Sequence, residues 1–211
     1  MKVKFTKALL VGPHADDVEL GLGGTVSRII EEGCEVKVLI FSTAAGSLPP
    51  GFTQQGIIDE TYKSLKQLGV APKQIVIEDF EVRRFSDYRQ EILEILCREA
   101  RDYNPDVVFV PASSDTHQDH AVVHSEAIRG FRRTSVFGYE LPWNNKGFDP
   151  TFLIELQERH INAKETALGH YLSQAHRPYF QPGLLKNLAA LRATVVGVQY
   201  GEAFEVIRMV S

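Results

Sequence analysis

The sequence predicts an α/β chain built on a doubly wound, mostly parallel sheet with helices on both faces. Two observations carry this reading. Short apolar runs alternate with segments of helical periodicity through the first two-thirds of the chain. Two of the strand-like runs lead straight into clusters of acids and histidines, and open α/β sheets bind ligands beyond the carboxyl ends of their strands.

The elements follow in order. Ala8-Leu9-Leu10-Val11 is a run of the kind a buried strand shows, and strands are expected at residues 7–12, 35–42, 74–78 and 105–111. Helices are expected at 22–32, 56–69 and 87–103. In the last, Ile92, Leu93, Ile95, Leu96 and Ala100 make one apolar face at helical spacing. Asn104-Pro105 ends it, and Asp106-Val107-Val108-Phe109-Val110 starts the next strand. After residue 131 the rhythm loosens: a strand over Thr134 to Glu140, a loop over Leu141 to Pro150, helices over 155–173 and 184–191, and a final strand over Gly201 to Val210. No repeat, low-complexity tract or linker interrupts the chain, so one domain is expected over residues 1–211.

Composition excludes several classes. With 44% hydrophobic residues the chain can bury a core. A net charge of -4 and a pI near 6.0 give no electrostatic case for nucleic acid. The basic residues are scattered, so no polybasic run suggests an anionic membrane. The N-terminal apolar run breaks at Pro13, unlike a signal peptide, and no stretch approaches the about 20 apolar residues of a membrane helix. Cys34 and Cys97, far apart with apolar neighbours, read as two buried free thiols, and the cytoplasm is the expected compartment.

The chemistry is concentrated in two stretches. PHADDVE, residues 13–19, gathers His14, Asp16, Asp17 and Glu19 at a strand end. Like charges raise one another's pKa, whereas a divalent cation turns their repulsion into attraction. PASSDTHQDHAVVHSEA, residues 111–127, is the second stretch. Histidine with aspartate favours zinc or a neighbouring transition metal over magnesium, and three protein ligands plus an open position define a catalytic zinc site. From the residues alone, the ligands are His14, one of Asp16 or Asp17, and one of His117, His120 or His124. The plainer reading is an Asp-Asp pair capping a helix and a solvated histidine face.

These stretches resemble the motifs of the LmbE/PIG-L family of zinc-dependent de-N-acetylases. The family's first motif, His-Pro-Asp-Asp-Glu, is similar to His14-Ala15-Asp16-Asp17-Val18-Glu19, with alanine for proline and Val18 inserted before the glutamate. Its His-x-Asp-His motif is matched by His117-Gln118-Asp119-His120. Ser173-Gln174 and the GEAF of Gly201 to Phe204 extend the resemblance over nearly the whole chain. It implies a Rossmann-like fold and removal of acetyl groups from N-acetylglucosamine-type sugars or glycoconjugates. It implies zinc on His14, Asp17 and His120, with Asp16 as general base. It also makes His117 the stabiliser of the tetrahedral oxyanion, as an imidazolium held by Asp119. Glu19 is left between a salt bridge, a helix cap and a catalytic role. Family members often self-associate, so the resemblance allows a homo-oligomer.

Candidates for reading the substrate are Arg83, Arg84, Tyr139 and Trp143. Many family members carry an arginine in the helix before the third strand; here IIDETYKSLKQLG has none, and Arg83 or Arg84 is expected to replace it. Trp143 is suited to stacking on a sugar face or to plugging a loop into the core. His176 and Tyr179 lie in a stretch that resembles a loop at the site's edge. Three other readings compete. GLGGT at 21–25 departs from the dinucleotide pattern, and its glycines fit close helix–sheet packing better. Clustered Asp and His also build metal-dependent phosphoesterases. A non-catalytic sugar-binding module is the third, and the retention of every expected ligand speaks against it.

Overall fold

The computed structural model describes residues 4–210. Seven strands form one sheet: β1 (Lys7–His14), β2 (Glu35–Ser42), β3 (Ile75–Ile77), β4 (Val107–Pro111), β5 (Ser135–Tyr139), β6 (Phe152–Leu156) and β7 (Tyr200–Arg208). Their order is β3-β2-β1-β4-β5-β7-β6. The first five are parallel, and β7 joins β5 and β6 antiparallel. The chain winds from β1 toward β3 and then returns to place β4 on the other side of β1. The β1–β4 seam is therefore the topological switch point, where open sheets leave a crevice.

Period-two alternation sorts the core into two faces. Ala8 and Leu10 of β1, Val38 and Ile40 of β2 and Phe109 of β4 pack under helices α1 (Asp17–Glu31), α2 (Gln54–Gln67), α5 (Glu158–Leu168) and α6 (Leu184–Ala193). Leu9, Val11, Leu39, Phe41, Val108 and Val110 pack under α3 (Arg89–Asp102) and α4 (Gln118–Gly130). Nearly continuous apolar strands are the expected consequence of burial on both faces.

The departures from the sequence reading have physical causes. The first helix starts at Asp17 rather than residue 22, because the chain turns helical directly after His14 and Asp16. The α4 helix, absent from the expected elements, buries Asp119, His120 and Glu126 beside Val123 and Ala127, so polar residues carry much of its periodicity. The single helix expected over 155–173 divides into β6 and α5. β6 forms by pairing with β7 some fifty residues downstream, a contact no local pattern encodes. Cys34 is buried as expected, but Cys97 is exposed; both are free. Among the described residues, no helix is long and apolar enough to cross a membrane.

The GLGGT stretch shapes α1. A Cβ on Gly21 would lie 2.3 Å from Cδ2 of Tyr139, and one on Gly24 2.6 Å from Cδ1 of Leu156. Close helix–sheet approach therefore demands both glycines. The helix also breaks at Leu22 (φ -145°, ψ 22°), which frees amides in the next turn. Gly24 and Thr25 donate these to Glu202 Oε1 and Oε2 at 3.1 and 2.7 Å. The buried Lys164 Nζ donates to Glu202 Oε1 at 2.6 Å. Glu202, from the GEAF stretch, thus caps the second half of α1 as a buried ion pair.

Removing one member of such a pair strands the other charge, at a cost of about 3–5 kcal/mol. Urea unfolding should show a loss of this order for Glu202→Ala. Adding Lys164→Met should recover part of it, because the uncompensated ammonium is gone. Strictly additive losses would contradict this description of the kink.

Candidate metal centre

Three elements deliver the central residues to the switch point. His14 is the last residue of β1, Asp17 opens α1, and His120 lies in the first turn of α4, after β4. Asp16 takes the left-handed conformation (φ 89°, ψ -27°), unusual for a residue other than glycine, and this tight turn brings Asp17 back onto the strand. The Asp17 carboxylate accepts the backbone N–H of His14 at 2.8 Å, which fixes it.

His14 Nδ1, His120 Nε2 and Asp17 Oδ2 form a small triangle. The sides are 3.2 Å between the two nitrogens, 3.4 Å from His14 to Asp17, and 3.3 Å from His120 to Asp17. The opposite nitrogens of both rings face carboxylates. His14 Nε2 lies 2.9 Å from Asp119 Oδ2, and His120 Nδ1 lies 2.8 Å from Asp115 Oδ2. Neutral rings that donate outward to these acids turn both remaining lone pairs inward, toward a third acceptor. A tetrahedral zinc with ligands at about 2.0–2.1 Å spaces them about 3.3–3.4 Å apart, so the donor set fits such an ion in chemistry and spacing.

Electrostatics describe the same convergence in protons. Burial opposes charge on His120, but Asp17 and Asp115 outweigh it and raise the ring to about 10. Burial likewise opposes charge on His14, and hydrogen bonds to Asp119 and Asp17 raise it nonetheless. Burial would raise Asp17, yet the His120 and His14 rings hold it far below the usual carboxylate range. Without an ion, protons hold these acceptors together.

Asp16 sits beside the triangle, 8% exposed, with no side-chain hydrogen bond capping its helix. Burial, then the charges of Asp17 and Glu19, raise its carboxyl well above the ordinary value, against Arg177 and His120. His117, the N-cap of α4, accepts the N–H of Asp119 on Nδ1 at 3.2 Å. Its remaining N–H is therefore on Nε2. Burial and the His120 and His14 charges push it down to about 4. That direction favours a neutral ring over the expected imidazolium. The hydrogen bonds of the Asp119 carboxylate go elsewhere: it holds His14 and accepts the N–H groups of Arg83 and Phe85 at 2.6 and 3.3 Å, and only its charge favours the protonated form of His117. His14, His117 and His120 each bring a ring nitrogen within 4.8 Å of the others, but the Asp17 triangle is tighter.

Other candidates separate clearly. Glu19 makes no salt bridge among the described residues and is fully buried. Its Oε1 accepts the Tyr171 hydroxyl at 2.8 Å, and burial raises it to about 7. His124 Nδ1 donates to the Pro111 carbonyl at 2.8 Å, away from the triangle. Tyr139, expected to face substrate, is fully buried with its hydroxyl donating to the Val11 carbonyl at 3.1 Å. Arg84 pairs with Asp87 at 2.6 Å. Arg83 and Arg84 line a cleft of about 540 Å³ across the Ala45–Ser47 turn, whereas the histidines open onto a separate cavity of about 220 Å³. Val82 borders both. Trp143 does line the smaller cavity, stacked on Tyr179 at 4.2 Å and 9°. His176 is exposed and outside it. Sequence reasoning missed Asp115, Gln174 as a wall residue, and Arg177. Asp115 sits inside the second cluster, and Ser173-Gln174 stands out in the sequence as a motif without a role.

The chain is similar to known proteins in sequence and in fold. A family model, PIG-L: GlcNAc-PI de-N-acetylase, matches residues 9–130, more than half the 211-residue chain and the part that carries both clusters. An uncharacterized deacetylase of Escherichia coli K12, YaiS, is 27% identical over 174 residues, covering 78% of this chain and 90% of that one. The diacetylchitobiose deacetylase of Thermococcus kodakarensis is 29% identical over 125 residues, 54% of this chain and 45% of that one. In fold, the conserved protein TT1542 of Thermus thermophilus superposes with a TM-score of 0.82 at 24% identity, covering 97% of this chain and 96% of the other. The chain belongs to the PIG-L family of de-N-acetylases.

Proposed function

We propose that the protein is a zinc-dependent hydrolase that removes the N-acetyl group from an N-acetylglucosamine-type sugar or glycoconjugate. The observation that carries the proposal is the His14–Asp17–His120 triangle, with three acceptors aimed at one point and both ring protons engaged outward. The family supplies the reaction class, and the diacetylchitobiose deacetylase supplies the precedent for an acetylated amino sugar. The His₂Asp donor set favours zinc. Free thiols at Cys34 and Cys97 suit the reducing cytoplasm.

An ion held there supplies a Lewis acid for the acetyl carbonyl and lowers the pKa of water. The chain's own groups do the rest. Asp16, unengaged and raised in pKa, takes the proton of the attacking water and returns it to the departing amine. His117 Nε2–H donates to the carbonyl oxygen as negative charge develops, and a neutral ring suffices for that. Asp115 and Asp119 hold the two ligand rings in the tautomers that binding needs. Trp143 and Tyr179 form the wall against which the sugar lies.

Metal analysis should find about one zinc per chain, lost in His14→Ala, Asp17→Ala and His120→Ala and kept in His117→Gln. Asp115→Asn or Asp119→Asn should weaken zinc about 10- to 100-fold, as removal of a ligand's orienting partner does. Full zinc in all three ligand variants sinks the assignment.

Asp16→Asn should retain the metal while acetate release from an N-acetylglucosamine glycoside falls about 10²- to 10⁴-fold. Loss of metal from this variant, with retention in Asp17→Ala, would reverse the two carboxylates.

Proton linkage gives a third test. With His120 raised to about 10, the metal-free protein carries a proton on that ring at pH 7–8. Zinc must displace it, so binding should release protons and tighten as pH rises toward 10. Calorimetry in buffers of different ionisation enthalpy should detect at least about one proton released per zinc. Affinity independent of pH from 7 to 9 would show that His120 does not carry the metal.

A further inference from the structure

We propose that Arg177 sets the specificity of the site by receiving a compact anionic group, a carboxylate or phosphate, carried by the acetylated amino sugar. The inference rests on the deacetylase reading above and names the substrate class within it. Arg177 lines the same cavity as His14, Asp16, His117 and His120. Its Nε donates to Gln174 Oε1 at 2.6 Å. Gln174 is buried, and its Nε2 donates to Ser173 Oγ at 3.2 Å. Ser173 Oγ in turn donates to Glu60 of α2 at 2.6 Å. The guanidinium carbon lies 5.8 Å from the centre of the Tyr179 ring, which stacks on Trp143. The Ser173-Gln174 pair thus acquires a purpose: it anchors an arginine from behind, while the Tyr179 ring, backed by Trp143, flanks it.

What this arrangement leaves without a carboxylate is the guanidinium, whose other side-chain partner is the Tyr179 hydroxyl. The arginines that serve the scaffold end on carboxylates: Arg89 and Arg129 on Glu126, Arg159 on Glu31, Arg192 on Glu140. Arg83, in the neighbouring cleft, spends its guanidinium on Ser47 Oγ at 2.9 Å and the Gly46 carbonyl at 3.4 Å. Arg177 is half-buried and makes no ion pair among the described residues. A planar fork with its Nε already fixed matches the two oxygens of a carboxylate or phosphate. Neutral hydroxyls also accept from it, but only an anion offsets the cost of keeping the cation half out of water.

Matched substrates test this on the zinc-loaded protein. One pair is the N-acetylglucosaminide of glycolate and that of glycolamide. The other is N-acetylglucosamine 1-phosphate and the methyl N-acetylglucosaminide. The anionic member of one pair should be favoured in kcat/KM by roughly 10- to 100-fold, as expected for hydrogen bonds to a charged group. Which pair shows the preference distinguishes carboxylate from phosphate. Arg177→Gln should bring that ratio close to one, and Arg177→Lys should restore part of it. Calorimetric binding of the unreactive products, the glucosaminides of glycolate and glycolamide and glucosamine 1-phosphate with its methyl counterpart, provides a readout independent of turnover. If both pairs are treated alike, or the preference survives Arg177→Gln, the proposal is overturned and the deacetylase reading stands. If no member releases acetate while an anionic product still binds more tightly through Arg177, the deacetylase reading fails and the anion site stands. Equal binding of all products by wild type and Arg177→Gln also overturns the proposal.

Discussion

Burying two imidazoles and a carboxylate with their acceptor atoms 3.2–3.4 Å apart is the constraint around which the rest of the structure is arranged. Such a cluster is unfavourable unless a cation sits at its centre. The backbone bears part of the cost. Asp16 accepts a left-handed conformation so that Asp17 can fold back onto the amide of His14. The topology supplies another part, because only the β1–β4 seam brings the end of the first strand beside the helix that follows the fourth. Asp115 and Asp119 supply the last, each accepting from the outer nitrogen of one ring. The Asp119 carboxylate is itself fixed by the amides of Arg83 and Phe85, which ties the loop after β3 to the same centre.

Much of this was legible in the sequence. The first four strands and the helices between them follow from apolar runs and helical periodicity, which report burial on both faces of a sheet. The choice of His14, Asp17 and His120 comes from the resemblance to the family's two motifs, where the residues alone left Asp16 or Asp17 and His117, His120 or His124 open, and their convergence follows once both motifs stand at adjacent parallel strand ends. Partnerships among polar groups were not legible. The resemblance pairs Asp119 with His117, two residues away, but its side chain turns to His14, more than a hundred residues away. Asp115 gave no signal apart from its neighbours. Tyr139 read as a substrate contact from its place in the GYELPWNN stretch, while Gly21 in fact leaves space for its ring in the core. The β6 strand and the α4 helix escaped notice because one depends on a distant partner and the other on buried polar residues.

The fold and the site divide their labour. Glu202 and Lys164 hold the broken α1 helix against β7, far from any chemistry, yet that helix presents Asp17. Part of the cavity wall comes from the loops around Trp143 and Tyr179, outside the stretch that the family model covers. The candidate metal centre thus lies in the shared part of the chain, and part of the proposed substrate wall in its individual part. Relatives that act on different acetylated sugars are expected under such a division, since loops vary at lower structural cost than strand ends.

The central claim is that one ion sits on His14 Nδ1, His120 Nε2 and Asp17 Oδ2. Anomalous diffraction at the zinc edge from zinc-loaded crystals tests it most directly. The account predicts one peak about 2.0–2.2 Å from all three atoms, with His117 Nε2 beyond bonding distance and its Nδ1 still accepting the Asp119 amide. A peak bonded to His117 in place of Asp17 would contradict it.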